Sequence, residues 1–585
     1  MRYRRFHSTS TSRRIVLSRR IMLIVAAGLF TLIVYVAIRH RPEQVAVVGG
    51  GGGEAFVEPP IVVPDFSVPV GRMRLPLPYR IVSFHRGRAD KNLIKLAAQL
   101  GFNGVQFQIE GSTEGGVQEF VQRDAREHLI DYCHKLGMKV TVWVHEMSDL
   151  PPSESRNYLG PVAADNEKLF AFLDERYERM LTKTIPTIDG LVLTVVETQV
   201  RATDAQILER LAKMLAAKCA KHNKSLIVRT FVWYPGEFRD VMAAIGRLAP
   251  NQVIMSKVVP QDWQMRGTNA PEIGAVGGRP QIIEYDVCGE YFHKSNVANC
   301  MVDLLKRQFD YGLSKGAQGI CVRVDRGDAS VLFEPNEVNL WALGLMAAGV
   351  TDKADDIWAM WANWRYGSAA APLVINALKS TSLVVTEITS LGPFTFGDTR
   401  IPPPLPDDPD ILLMNWQNWR WDADYLPAYY AADRGDLAFI TQVAKQKQVA
   451  AKAAEDCLAY LELARTHLPP AEYEILYTRL LTNQTQLATK SAMQMATLYY
   501  RAMIHATTQA QRKAWREAMR PEIDRVRLVA GEGGALGREP MVVEHMGRKW
   551  QLGVPTGLTR QALEHWAAEA DTVVTGEHIP HSTAK

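Results

Sequence analysis

From residue 79 onward, short runs of Val, Ile, Leu and aromatic residues recur eight times, at 79–84, 104–109, 139–145, 190–196, 226–233, 253–257, 281–285 and 319–324. Runs this apolar, with little polar alternation, suit strands covered on both faces. Between them, apolar residues return at helical spacing over 91–100, 123–136, 166–184, 204–222 and 295–313. Gly104, Gly137, Gly190 and Gly319 stand near strand starts and are expected to serve the turn from helix back into strand. The sixth connection, 258–280, shows no helical pattern and reads as a long loop. Strand and helix alternating eight times predict an α/β fold, a closed parallel (β/α)8 TIM barrel over 76–400. An open doubly wound sheet is the weaker alternative, because no glycine-rich phosphate loop follows the first strand.

The pattern changes at both ends. Residues 21–38, from Ile21 to Ile38, are an uncharged stretch long enough to cross a bilayer as a helix. Arg2, Arg4, Arg5, Arg13, Arg14, Arg19 and Arg20 precede it, so residues 1–20 are expected to stay in the cytoplasm and the body to be exported, periplasmic or extracellular. A cleaved signal peptide also has a basic flank, but this stretch is longer than the usual apolar region and no clear A-x-A site closes it. Residues 39–75 are a Gly- and Pro-rich tether. A proline-rich linker at 401–410 leads to a helical accessory domain over 411–530, with helical spacing at 437–467, 470–506 and 509–529. Pro521 is expected to kink or divide the last of these. The helical domain offers a surface on which two copies can pair as a homodimer. Residues 531–585 remain unassigned.

Charge sharpens the picture once it is divided. Residues 1–41 hold nine arginines and no acid, whereas the rest holds 58 basic and 63 acidic residues, a net of −5. A mildly acidic body excludes the basic folded surface that a nucleic-acid binder needs. Cys133, Cys219, Cys288, Cys300, Cys321 and Cys457 are scattered without zinc-type spacing, and no cofactor is expected. His145-Glu146 opens like H-E-x-x-H, but Asp149 stands where the second histidine belongs.

In a barrel of this kind the C-terminal strand ends and the loops after them carry the chemistry. They supply His85, Glu110, His145, Glu146, Glu197, Trp233, Lys257, Asp262, Glu290 and Asp325. Several carboxylates with an indole and a lysine match a sugar-handling pocket, in which paired carboxyls act as acid and base and aromatic faces stack on sugar rings.

The segments IDGLVLTVVETQ, LIVRTFVWY, VIMSKVVPQDWQMR and QIIEYDVCGEYFHKS follow in that order on strands four to seven. Lys257 precedes Asp262 by five residues, in a K-x-x-P-x-D-[FW]-Q stretch, and Glu290 lies 28 residues beyond Asp262. In these features, and in the Asn336-x-x-Asn339-Leu340-Trp341-Ala342 helix, residues 78–365 resemble the catalytic barrel of the family 67 α-glucuronidases. The resemblance implies an inverting glycoside hydrolase acting on an α-linked uronic acid in an oligosaccharide or polysaccharide. It implies Glu197 as general acid, Asp262 and Glu290 as the carboxylates that activate water, and Arg229 and Lys257 as contacts to the uronate. His85 and Trp233 are further candidates to line the pocket. The chain departs from the family around Glu197, which stands in Val195-Val196-Glu197-Thr198-Gln199, and in lacking the family's N-terminal β-domain. A different sugar specificity, or a catalytically silent carbohydrate-binding or envelope-scaffold protein on the same barrel, stays open.

Overall fold

The computed structural model describes residues 61–63, 73–85, 89–109, 114–145, 159–194, 204–232, 235–260, 263–266, 268–290, 296–326, 329–395, 404–405, 426–532, 541–545, 548–552 and 559–575. The expected membrane anchor at 21–38 and most of the proline-rich linker lie outside these residues. Eight strands, β1 (Tyr79–His85), β2 (Gly104–Ile109), β3 (Lys139–His145), β4 (Gly190–Thr194), β5 (Ser225–Arg229), β6 (Val253–Lys257), β7 (Gln281–Asp286) and β8 (Gly319–Arg323), close into a parallel barrel in sequence order. The crossovers carry α1 (Lys91–Gln99), α2 (Glu114–Glu127), α3 (Leu129–Lys135), α4 (Glu167–Arg179), α5 (Ala205–Lys221), α6 (Pro235–Gly246) and α7 (Val302–Ser314). Between β6 and β7 the described residues form turns and no helix. Helix starts follow local chemistry: Asp90, Asn166 and Asp204 each accept from backbone N–H groups of the first turn of α1, α4 and α5.

The period-two alternation of strands sorts each one into an outward and an inward set. Outward Val82, Phe107, Val142, Leu193, Val228, Ile254 and Val322 pack in the large core under the helices. Inward Ile81, Trp143, Val192, Ile227, Met255, Ile282 and Cys321 form an apolar plug inside the barrel. Two residues further along, the inward positions turn polar: Ser83, Thr194, Arg229, Lys257, Glu284 and Arg323, with Gln106 level with Ser83, are all buried.

The strand-start glycines act differently from expectation. Only Gly137, at φ +73, makes a left-handed turn. Gly104, Gly190 and Gly319 lie within strands, and at Gly190 and Gly319 the neighbouring strand comes too close for a side chain. A Cβ on Gly190 would stand 2.6 Å from the Ser225 carbonyl oxygen, and one on Gly319 would stand 2.7 Å from that of Tyr79.

After β8 come α8 (Glu337–Ala347), α9 (Ala354–Leu378) and α10 (Thr381–Thr389). Beyond the linker follow α11 (Leu426–Arg434), α12 (Leu437–Ala464), α13 (Pro470–His505) and α14 (Gln509–Glu532). Helices α9 and α10 precede the linker in sequence but pack on α12, and α10 also packs on α13. Asn336 and Asn339 of the α8 motif brace the chain before α7. Asn336 Oδ1 accepts from Asn299 N at 2.7 Å, and Asn339 Oδ1 accepts from Met301 N at 2.6 Å. Arg479 of α13 grips Glu334 through two bonds of 2.9 and 2.6 Å, and Arg365 of α9 pairs with Glu472 of α13 at 2.8 Å; all four side chains are buried.

Pro521 does not divide α14, which runs unbroken from Gln509 to Glu532. The proline is exposed, while Met519, Ile523, Val526 and Ala530 on the opposite face are buried against neighbouring helices, which offsets one lost backbone bond. The unassigned tail contains a hairpin, Met541–His545 paired with Arg548–Leu552, and α15 (Arg560–Thr575) packed on α14.

Gly319→Ala is expected to force β1 and β8 apart and to destabilise the protein by about 1–3 kcal/mol, the usual cost of overpacking. Urea unfolding of the variant and the parent measures it; an unchanged midpoint would show that the two strands separate freely at their first residues.

Candidate functional site

The site grows from the end of β7. Gly289, at φ +79, folds the chain back after Asp286, and the Asp286 carboxylate collects the backbone N–H groups this turn exposes. Oδ1 accepts from Cys288 N and Gly289 N, both at 3.1 Å, and Oδ2 accepts from Glu290 N at 2.7 Å. The turn therefore fixes where Glu290 leaves the backbone.

Strand β8 and the short ribbon after it receive Glu290. The ribbon pairs β9 (Asp325–Arg326) with β10 (Ala329–Ser330). Arg323 Nη1 lies 2.8 Å from Glu290 Oε2, and Arg326 Nη2 lies 2.7 Å from Glu290 Oε1. Burial pushes the Glu290 carboxyl up, but Arg323 and Arg326, helped by Lys257 and His85, outweigh it and hold the group down at about 2. Glu290 is thus ionised throughout the physiological range.

Its neighbours go the other way. Burial lifts Asp286 to about 6, against the pull of Arg323. Burial also lifts Asp325 to about 7, against the bond that its Oδ1 accepts from His85 N at 2.6 Å and the pull of Arg323. The difference lies in partners. Asp286 and Asp325 accept from neutral backbone N–H groups, whereas Glu290 faces two guanidiniums directly.

Below this layer the cations rest on aromatic faces. Arg229 Nε donates to Glu284 Oε2 at 2.7 Å, and neither side chain has exposed surface. The Arg229 guanidinium lies 4.4 Å from the Trp143 ring centre and 4.9 Å from that of Phe231. Lys257 Nζ lies 3.8 Å from the Phe231 ring centre and 4.9 Å from that of Trp263, within cation–π range of both. Trp263 also faces Arg323 at 5.9 Å.

Of the residues singled out from sequence, His85, Arg229, Lys257, Glu290 and Asp325 are described and meet at this end of the barrel. Glu197, Asp262, Trp233, Glu110 and Glu146 lie outside the described residues, as does the side chain of His145. Arg229 is not at the surface of the site; Glu284 holds it inside the barrel. Glu284, Asp286, Arg323 and Arg326 were not picked out beforehand. The signal for three of them was the two-residue alternation: Glu284 and Asp286 share parity with Ile282, and Arg323 shares it with Cys321. Among the described residues no cluster of His, Cys, Asp and Glu could hold a metal ion.

No family model matches the chain, and no curated protein matches it. Solved barrel structures do. A GH115 4-O-methyl-α-glucuronidase with specificity for decorated arabinogalactans aligns at a TM-score of 0.45 and 11% identity, covering 78% of this chain and 59% of that one. An O-GlcNAc hydrolase of Thermobaculum terrenum aligns at 0.42 and 9% identity, covering 86% and 98%. A GH138 enzyme targeting pectin rhamnogalacturonan II aligns at a TM-score of 0.58 and 11% identity over 86% of this chain and 84% of that one. The last likeness extends over most of both molecules and shows that the chain shares that enzyme's barrel fold.

Proposed function

We propose that the protein is a glycoside hydrolase that removes an α-linked uronic acid from an oligosaccharide or polysaccharide, with inversion. The observation that carries the reading is the mouth itself, where Glu290 is held ionised among Arg323, Arg326 and Lys257 beside the faces of Trp143 and Trp263. Fixed cations compensate the desolvation of a uronate. The family 67 resemblance and the shared fold of an enzyme described as targeting pectin rhamnogalacturonan II support the same reading.

In this mechanism Glu197 protonates the leaving oxygen, and water attacks the opposite face of the ring. Asp262 takes the proton from that water. Glu290, too weak a base in its double clamp to take it alone, accepts a hydrogen bond from the water and fixes its direction. Lys257 meets the uronate carboxylate, and Arg229, neutralised by Glu284, holds the aromatic floor in place. That same double clamp favours one other reading, a carbohydrate-binding scaffold in which Glu290 is purely structural.

The roles separate on leaving groups. Glu197→Gln is expected to slow substrates with poor leaving groups by about 10²–10⁴-fold and to spare activated aryl glycosides, whereas Asp262→Asn slows both alike. Steady-state rates on an aryl uronide and an oligosaccharide, with azide as external nucleophile, check this. Full activity in both variants would leave the scaffold reading standing.

The raised carboxyls make ligand affinity depend on pH. Below pH about 6, Asp286 and Asp325 are mostly neutral, which leaves a surplus of positive charge around Glu290 from Arg323, Arg326 and Lys257. Above pH about 7 both become charged and the surplus disappears. Affinity for a free uronic acid is therefore expected to fall as pH rises from 5 to 8, while that for the neutral sugar stays flat; calorimetric titration at each pH measures both. Parallel curves for the two sugars would remove the charge argument.

The same proposal puts the body outside the cytoplasm on an uncleaved anchor at residues 21–38. A reporter that works only when exported, fused after Gly53, is expected to be active in cells. Activity of a cytoplasm-only reporter at that junction would overturn the topology.

A further inference from the structure

A cavity of about 490 Å³ opens on the flank of the same barrel end, between the β6–β7 connection and the first turns of α7. Its polar lining is Gln264, Arg266, Asn269, Arg307 and Gln308, with Leu304 and Pro393 among the apolar residues. A void of about 20 Å³ lies beside it, sharing Gln264, Leu304 and Gln308 with it and bordered by Trp263 and Asp286. Those last two residues also belong to the candidate site, so the cavity stands one side chain away from it.

Its charge balance is one-sided. Arg266 pairs with Glu387, but Lys447 Nζ lies 3.3 Å from the same carboxylate, so two cations share one anion. Arg307 is exposed on α7 and makes no ion pair among the described residues. No described residue of the lining is acidic, and three side-chain amides supply both donors and acceptors. A void of this size is in the range that holds small ligands. An exposed arginine beside a second one suits a carboxylate, amides suit ring hydroxyls, and the Leu304 and Pro393 surfaces suit the C–H face of a pyranose.

We infer that this cavity is a distal subsite for a second carboxylate-bearing sugar of the substrate chain, with Arg307 and Arg266 as the groups that recognise its charge. The inference rests on the uronate reading of the neighbouring site and extends it: the substrate is a run of acidic sugars, not a single acidic cap on a neutral chain.

The test is calorimetric titration of the full chain, in a Glu197→Gln background so that the probe survives, with galacturonic acid, its α-1,4-linked trisaccharide and the carboxyl-reduced trisaccharide. Arg307→Ala is expected to weaken the acidic trisaccharide about tenfold or more and to leave the monosaccharide unchanged, since a charge-assisted bond is lost only for the longer probe. Arg307→Lys keeps the charge and is expected to restore part of the loss. In the otherwise unaltered enzyme, Arg307→Ala leaves the rate on an aryl uronide unchanged. Equal affinity of parent and Arg307→Ala for the acidic trisaccharide, or no preference of the parent for the acidic over the reduced probe, overturns the inference. Arg307-dependent binding without hydrolysis of any uronide keeps the subsite and removes the hydrolase reading instead.

Discussion

Arg229 sits inside the barrel with no exposed side-chain surface, and a guanidinium so placed must be neutralised where it stands. Glu284 does this from across β6, and Trp143 and Phe231 cover the faces that the carboxylate leaves bare. With that pair in place the floor of the site is rigid, and the charged layer above it can be laid out without collapsing onto water. Lys257 leans on Phe231 and Trp263, Arg323 faces Trp143 and Trp263, and Glu290 closes over Arg323. Removing either partner would leave a buried charge uncompensated, a change on the order of 3–5 kcal/mol, and would tilt the aromatic floor together with it.

The same low-dielectric surroundings shift neighbouring carboxyls in opposite directions. Glu290 meets two guanidiniums and stays charged; Asp286 and Asp325 spend their oxygens on backbone N–H groups and are lifted toward neutrality. Division of labour between an ionised group and protonatable ones comes from which donor each carboxyl reaches, not from residue type.

How much of this was legible in the sequence differs from element to element. Strands such as 104–109, 139–145 and 253–257 were readable to the residue, because each carries Val, Ile or aromatic residues at its outward positions and is bounded by turn residues. The helix-free sixth connection was legible too, for lack of apolar periodicity. Gly137 was read correctly, but Gly190 and Gly319 were misread, since their cause is the approach of a neighbouring strand, as with Gly319 against Tyr79, which one segment of sequence does not display. Pro521 was misread because the apolar face packed around α14 outweighs the local rule. In the site, Lys257 and Glu290 were picked out from their strand-end positions and the family resemblance. Arg323 was missed because a charged residue ending an apolar strand reads as a boundary until the inward parity is set. The partner of Arg229 was likewise invisible: Glu284 is 55 residues away in sequence.

The clamps between Glu334 and Arg479, and between Arg365 and Glu472, bear on how this chain can be inherited. Each joins a residue before the proline-rich linker to one on α13, and each is buried. A recombination event that cut at the linker and supplied a foreign C-terminal half would strand Glu334 and Arg365 without counter-charges, and would strip α9 and α10 of the helices that cover them. Shuffled descendants would therefore start with a folding defect that further changes on both sides must repair. The linker looks like a seam in the sequence, but lineages carrying this barrel are constrained to pass the two halves on together.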